Sequence, residues 1–304
     1  MELKGKLIKG VGGLYFIRLG NGEIISCKAK GAFRHESIKP CIGDDVTVLD
    51  DGGYVLHDID ERKNCLIRPP ISNVGVIFIT FAAAEPEPAL LSIDKLTCIA
   101  EHCGIRPVIT VTKADIAPEK ARELAEIYER SGFKVFISDK NNSAVPEIRR
   151  YIHDECAGLI SCFAGASGVG KSTLMTALFP ELELETGEIS IKIARGKHTT
   201  RHVELYPLDK LFGDGTEGYV ADTPGFSLID FENFDFFPFE ELPHTMREFT
   251  LHYGECRYLD CSHTKEEGCA VLDAVARGEI APSRHESYLS MYRTLKSKPR
   301  WEKK

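Results

Sequence analysis

The sequence predicts an α/β domain of the phosphate-loop class, preceded by an all-β barrel of OB type and followed by a small, mainly helical domain. Three observations predict it. Glycine turns punctuate short apolar runs over residues 1–66. Strand-length runs alternate with helix-length segments over 67–231. Cysteines and a histidine cluster within 232–304.

In the first segment, residues 14–17, 23–28 and 45–49 read as strands, separated by Gly20-Asn21-Gly22 and Gly52-Gly53, with no helical period. A small barrel fits that texture. In the second, strands at 74–81, 107–112, 134–137 and 159–164 alternate with helices at 90–103, 119–131, 145–155 and 171–178. Such alternation builds a parallel sheet covered on both faces. The third opens on a Phe/Pro-rich stretch, 231–239, and runs through the cysteine cluster into a helical segment and a basic tail.

The chain has 304 residues and a formal charge of -8, so bulk charge does not mark a nucleic-acid binder and any RNA contact needs local basic patches. The longest apolar run, 74–84, is too short for a membrane span, and the first residues carry no signal-like stretch. Seven of the ten cysteines are scattered, as buried thiols in a reducing compartment are. A cytoplasmic protein without membrane contact is expected.

Gly165-Ala166-Ser167-Gly168-Val169-Gly170-Lys171-Ser172 matches the phosphate-loop pattern in full. Its glycines let backbone N–H groups curl around phosphate oxygens. Lys171 brings a positive charge to the β- and γ-phosphates, and the Ser172 hydroxyl suits Mg²⁺. Thr173 follows in the first turn of the helix and belongs to the same phosphate-binding set. An apolar strand enters the loop and a helix leaves it, so a helix N-terminus faces the anion.

Thr112-Lys113-Ala114-Asp115 ends another apolar strand in the manner of the N/T-K-x-D guanine motif. A carboxylate there accepts from the two donors that guanine presents and adenine lacks, while the Lys113 stem covers the base. A helix N-cap also explains Asp115. Ser138 ends the next strand like the serine of the S-A-K motif, with Asp139 in place of the usual small residue.

Asp222-Thr223-Pro224-Gly225 resembles the D-x-x-G switch, with Asp222 near Mg²⁺ and Gly225 sensing the γ-phosphate. Gly196-Lys197-His198-Thr199-Thr200 offers a threonine to complete the Mg²⁺ shell, Thr200 in preference to Thr199. Phe226 stands where many GTPases carry a water-orienting Gln, and its ring cannot orient water. His198 is the nearest group in sequence that can position or deprotonate water, and a solvated surface histidine is the plain alternative. Slow intrinsic turnover, accelerated by a partner, is expected. The guanine motifs precede the phosphate loop, the reverse of the usual order. This circular permutation leads the Asp222–Gly225 switch straight into the C-terminal domain.

Cys256-x4-Cys261-x-His263-x5-Cys269 supplies three thiolates and an imidazole, a set that closes a tetrahedral Zn²⁺ site of structural type. Buried thiols are the alternative.

These motifs in this order resemble the ribosome small-subunit-dependent GTPase A family, circularly permuted GTPases of bacterial ribosome assembly. The likeness extends to residues 5–13 and 43–46 in the barrel and to Arg68-Pro69 and Asn73-Val74 beyond it. Thr112, Asp139, and Gly75 where the family often has Asp, depart from it. The resemblance implies GTP hydrolysis to GDP in late maturation of the small (30S) subunit, stimulated by that subunit. It also implies rRNA contacts from both flanking domains, Mg²⁺ with GTP, and one structural Zn²⁺. A monomer is expected. Lys28, Lys30, Arg34, His35 and Lys39 form a basic stretch in the barrel. Arg293, Lys296, Lys298, Arg300, Trp301, Lys303 and Lys304 form a basic tail. Two other readings share these motifs. One is a nucleotide-gated RNA-binding assembly factor in which hydrolysis is incidental. The other is an ATP-using enzyme such as a kinase, against which Asp115 argues.

Overall fold

Alternation of buried and exposed side chains builds the first strands. In β3 (Ile24–Ala29), Ile25 and Cys27 are buried while Ile24, Ser26 and Lys28 are exposed. The computed structural model describes residues 1–31, 33, 39–67, 70–182, 203–222 and 238–297. It divides into two units, Met1–Val76, Pro146–Ala164, Ser172–Phe226 and Ile77–Val145, Gly165–Lys171, Ser227–Lys304.

In the first unit, β1 (Glu2–Val11) pairs antiparallel with β2 (Leu14–Leu19), and β2 with β3. β3 runs parallel to β5 (Tyr54–Ile59), β5 antiparallel to β4 (Asp45–Asp50), and β4 returns to β1, closing a five-stranded barrel. Gly12 and Gly13, at φ 59° and 84°, make the two-residue turn between β1 and β2, a left-handed pair that glycine adopts freely. The register of β1 shifts between Leu7 and Lys9, and this bend lets one long strand serve both β4 and β2. Leu7, Ile17, Val46, Val48 and Leu56 fill the interior.

The same unit holds a short hairpin, β6 (Cys65–Ile67) with β7 (Pro70–Ser72). It also holds three strands in the order β11-β13-β12. β11 (Ile160–Ala164) and β13 (Tyr219–Asp222) are parallel, but β12 (Glu204–Pro207) is antiparallel to β13. The connection 208–218, which carries the short helix Leu208–Phe212, is too short for a parallel crossover of about a dozen residues or more. β12 also pairs with β1 through Lys9 and Glu204, whose side chains meet at 2.7 Å.

β8 (Val74–Ala82) runs on into the second unit, where the strand order is β10-β9-β8. β9 (Arg106–Thr112) and β10 (Lys134–Ile137) are parallel. Helix α1 (Leu90–His102) follows β8, and α2 (Pro118–Arg130) follows β9, starting on a proline that has no N–H to leave unpaired. Helix α3 (Val145–Glu155) follows β10 and α4 (Lys171–Leu178) follows the phosphate loop, and beyond their first residues both belong to the first unit. The C-terminal part of the unit comprises two 3₁₀ segments, Phe239–Thr245 and Arg247–His252. The helices Ala270–Ala276 and Pro282–Ser297 complete it. Cys98 and Ile99 of α1 share a buried core with Leu242, Met246, Phe249, Tyr288 and Met291 of that region. Among the described residues no helix is long and apolar enough to cross a membrane.

A buried ion network crosses this core. The Arg284 guanidinium, fully buried, donates to Glu248 Oε1 at 2.7 Å and Oε2 at 3.1 Å, and to Asp94 Oδ1 at 2.6 Å. Tyr128 Oη donates to the same Asp94 oxygen at 3.0 Å. Burial pushes the Asp94 carboxyl up against the pull of Arg284. Arg284→Met would strand two buried carboxylates and is expected to cost about 3–5 kcal/mol, read as a lower urea midpoint. A loss below about 1 kcal/mol would show the network to be dispensable.

Candidate nucleotide site and metal centre

The phosphate loop begins where β11, buried throughout, ends. A Cβ at Gly165 would stand 2.3 Å from the Thr80 carbonyl oxygen, so only glycine fits against that backbone. Val169 turns its side chain into the core, 2 % exposed, and anchors the loop from within. Gly168 and Gly170 have φ of 79° and 88°. Ser167 is exposed and Ala166 half-buried; Lys171 opens helix α4, with Ser172 and Thr173 exposed in its first turn.

At the end of β9, Thr112 is buried and its hydroxyl lies 2.5 Å from the Val169 carbonyl oxygen and 3.1 Å from that of Phe81. One proton serves two acceptors, and the residue straps the strand end to the phosphate loop. The asparagine amide that a threonine lacks bears on the strapping of a base to the loop, a different contact from this one. The structure gives the strap to the hydroxyl alone. Lys113 follows at φ 55°, and its ammonium donates to the carbonyl oxygen of Glu85, itself at φ 51°. Left-handed backbone at non-glycine residues is costly, and it concentrates at functional sites. The loop after β8 that supplies Glu85 was not legible as part of this site. Its signal in the sequence is a Glu/Pro alternation that ends an apolar run.

Asp115 is exposed, and its Oδ1 accepts from the Lys140 backbone N–H at 2.9 Å. That contact joins the loop after β9 to the loop after β10. Ser138 is 2 % exposed; its N–H donates to Val111 O at 2.8 Å and its carbonyl accepts from Ala114 N at 3.1 Å. Its hydroxyl is buried with no partner among the described residues. Asp139, the departure from the S-A-K pattern, accepts from the backbone N–H groups of Asn141 (2.9 Å) and Ser143 (3.1 Å). These bonds, Ser143 first, hold its carboxyl low. Its role is to fold the turn.

Asp222 ends β13, one residue past the level of Cys162 in the parallel neighbour β11, the strand that leads into the phosphate loop. Its side chain, Gly225, His198, Thr199 and Thr200 lie outside the described residues. So do Arg34 and His35 of the basic stretch, Arg68-Pro69, and the tail from Lys298 on. Arg293 and Lys296, expected in a tail, instead sit on the last helix beside Tyr292. With Lys265 and Thr264 they line a cavity of about 530 Å³.

Cys256, Cys261, His263 and Cys269 converge, with their ligand atoms all within 4.8 Å of one another. His263 Nδ1 stands 3.7 Å from Cys256 Sγ and 3.4 Å from Cys269 Sγ. Zinc bonds of about 2.3 Å to sulfur and 2.0–2.1 Å to nitrogen set tetrahedral edges of about 3.6–3.8 Å, so the donor set fits Zn²⁺. The surroundings orient it. His263 O accepts from His285 Nε2 at 2.8 Å, Ser262 O accepts from Tyr288 Oη at 2.6 Å, and Phe249 meets the His263 ring edge-on at 5.7 Å. Burial holds the imidazole pKa down, keeping the neutral form that ligates metals. Glu266 Oε2 accepts from the backbone N–H groups of Thr264 and Lys265 at 2.9 and 3.0 Å, which fixes the turn between the ligands.

The family model described as RsgA GTPase matches residues 59–232, and the RsgA N-terminal domain model matches 4–53. A protein of Alkaliphilus metalliredigens named small ribosomal subunit biogenesis GTPase RsgA is 40% identical over 304 residues, covering 98% of this chain and 99% of its own. Its namesake in Halalkalibacterium halodurans is 40% identical over 302 residues, covering 97% of each. Among solved structures, YjeQ from Thermotoga maritima superposes with a TM-score of 0.80 at 31% identity, over 98% of this chain and 100% of the other. YloQ, described as a circularly permuted GTPase, gives 0.78 at 31% identity, over 99% and 97%. The barrel, the permuted phosphate-loop fold and the C-terminal Cys/His cluster are therefore those the sequence predicts, and this chain belongs to the RsgA family of circularly permuted GTPases.

Proposed function

We propose that this GTPase converts GTP to GDP and phosphate in late maturation of the small (30S) ribosomal subunit, slowly alone and faster on the subunit. One observation carries the nucleotide part. A complete phosphate loop is strapped by Thr112 to the strand end that bears Asp115. The ribosomal part rests on likeness over nearly the whole chain to proteins named for small-subunit biogenesis.

Three domains divide the work: the barrel at 1–66, the GTPase domain at 67–231 and the zinc domain at 232–304. Asp115 accepts from the guanine edge, Lys113 covers the base and Ser138 closes its far side. The backbone from Gly165 to Gly170 and the N-terminal turn of α4, Lys171 to Thr173, hold the phosphates. Ser172 and Thr200 would hold the Mg²⁺ that accompanies GTP, Asp222 would reach it through water, and Gly225 would sense the γ-phosphate. Bound there, Mg²⁺ neutralises charge on the β- and γ-phosphates. His198 positions the attacking water, since Phe226 has no group to do so. Zn²⁺ on Cys256, Cys261, His263 and Cys269 is structural because protein fills every position. Lys28, Lys30 and Lys39 on the barrel, and Lys265, Arg293 and Lys296 on the zinc domain, meet rRNA phosphates.

GTP turnover measured with and without purified small subunits should rise at least about tenfold on their addition. An unchanged rate overturns the proposal, and subunit release as fast with a non-hydrolysable analogue as with GTP would favour the nucleotide-gated binder. Asp115→Asn should shift preference from guanine toward xanthine nucleotides in a competition assay. Thr112→Val should weaken GDP binding about tenfold, about 1.4 kcal/mol, with Thr112→Ser close to the parent; equal affinities in all three would remove the strap from the account. Purified protein should contain about one zinc per chain. Cys261→Ser should lower that content and the melting temperature together.

A further inference from the structure

Cys41 and Cys65 lie outside the nucleotide and metal sites, and their sulfurs stand 4.0 Å apart. Both belong to the first unit. Cys41 sits in the loop before β4, and Cys65 begins β6. Neighbouring contacts hold the two segments together. Ile42 bridges to Ile71, and Ser72 N–H donates to Ile42 O at 2.8 Å. Arg62 donates to Asp44 Oδ1 at 2.7 Å and Oδ2 at 2.9 Å, and to Lys39 O at 2.8 Å. The Cys41 N–H donates to Asp44 Oδ2 at 2.7 Å, which fixes the backbone that carries its thiol.

The two thiols differ in kind. Cys65 is the one exposed cysteine of the ten, and Cys41 is buried, 7 % exposed. The hydrogen bond between them, and then the Arg62 guanidinium, holds the Cys65 thiol down to about 7 against burial and the Asp44 charge. That same bond, with burial, pushes Cys41 up. Cys65 thus presents a thiolate to solvent near neutral pH, and Cys41 keeps its proton behind it. A solvent-accessible acidic thiol poised next to a second cysteine is the arrangement that redox-sensing sites use.

We propose that Cys65 and Cys41 form a peroxide-reactive pair, Cys65 the attacking sulfur and Cys41 the resolving one, which closes to a disulfide and locks residues 41–44 onto the hairpin β6–β7. The Cys65 thiolate attacks one oxygen of hydrogen peroxide. The O–O bond breaks, the departing hydroxide takes a proton to become water, and a sulfenic acid remains on Cys65. Cys41 then attacks that sulfur. The S–S bond forms, the S–O bond breaks, and the hydroxyl leaves with the Cys41 proton as a second water. The two thiols lose two electrons, which the peroxide gains. The sulfurs have to close from 4.0 Å to about 2.05 Å.

The test treats full-length, zinc-loaded protein with stoichiometric hydrogen peroxide near neutral pH, alkylates the remaining thiols and maps them by mass spectrometry. Zinc release is followed with a metal-sensitive dye. The expected result is a linked Cys41–Cys65 peptide lighter by two hydrogens, formed before zinc is released and reversed by dithiothreitol. Cys41→Ser should stop at a Cys65 sulfenic acid that dimedone traps, and Cys65→Ser should give no linked peptide. Recovery of both cysteines alkylated in the parent protein overturns the proposal. So does a dimedone adduct on parent Cys65 with no linkage, or oxidation that reaches the zinc cysteines first.

Discussion

The hydroxyl of Thr112 is the contact on which the nucleotide end of this protein depends. It touches the Val169 carbonyl in the phosphate loop and the Phe81 carbonyl at the end of β8, so three chain segments far apart in sequence share one buried point. The phosphate loop follows the guanine strand in the chain, and no short covalent route fixes one against the other. A noncovalent strap has to do so. Threonine can serve because the acceptors are backbone carbonyls and one donor reaches them. The amide group of the commoner asparagine is not needed for that contact.

Around this point the backbone is held by unusual means. Lys113 and Glu85 both adopt left-handed conformations and are tied to each other. Asp115 is linked to the loop after β10 through Lys140. Each such residue costs folding energy and persists only where neighbours over-determine it. Here β8 and β9, buried over most of their length, lead into the two segments, and helix α1 follows the one that carries Glu85. Helix α1 carries Asp94 into the ion network with Arg284 and Glu248, and its apolar face shares a core with the metal-binding region. The loop that receives Lys113 and the helix that meets Arg284 are therefore consecutive in the chain. This places the guanine end and the metal-binding region in one packed unit, by a route additional to the expected covalent passage from Asp222–Gly225. Spatial continuity of this kind makes coupling physically available; it does not measure it.

Much of this was legible in residues 1–304 before any fold was at hand. The phosphate loop, the guanine motif and the Cys/His cluster are local patterns, and local patterns carry their chemistry in their spacing. The helices of the middle segment announced themselves through apolar periodicity, and their ends fall within a residue or so of those observed. The missed pieces have physical causes. β1 is interrupted by Gly5, Lys6 and Lys9, because it bends and shifts register to serve two partners, so it shows no clean alternation. β12, at four residues, is too short to stand out as a strand, and its direction is set by its pairing partner and not by its composition.

The sequence by itself indicated the kind of chemistry: which residues are expected to cradle phosphate, which carboxylate is expected to meet a base, and which four side chains suit a soft metal. Those are properties of side-chain type and near spacing. Only the tertiary structure decided what holds them: the Thr112 strap, the Glu85 carbonyl for Lys113, the turn-forming use of Asp139, and the burial of Arg284 between two carboxylates. It alone brought Cys41 within 4.0 Å of Cys65. Contacts between residues tens of positions apart depend on packing, and packing is specified by the whole chain at once.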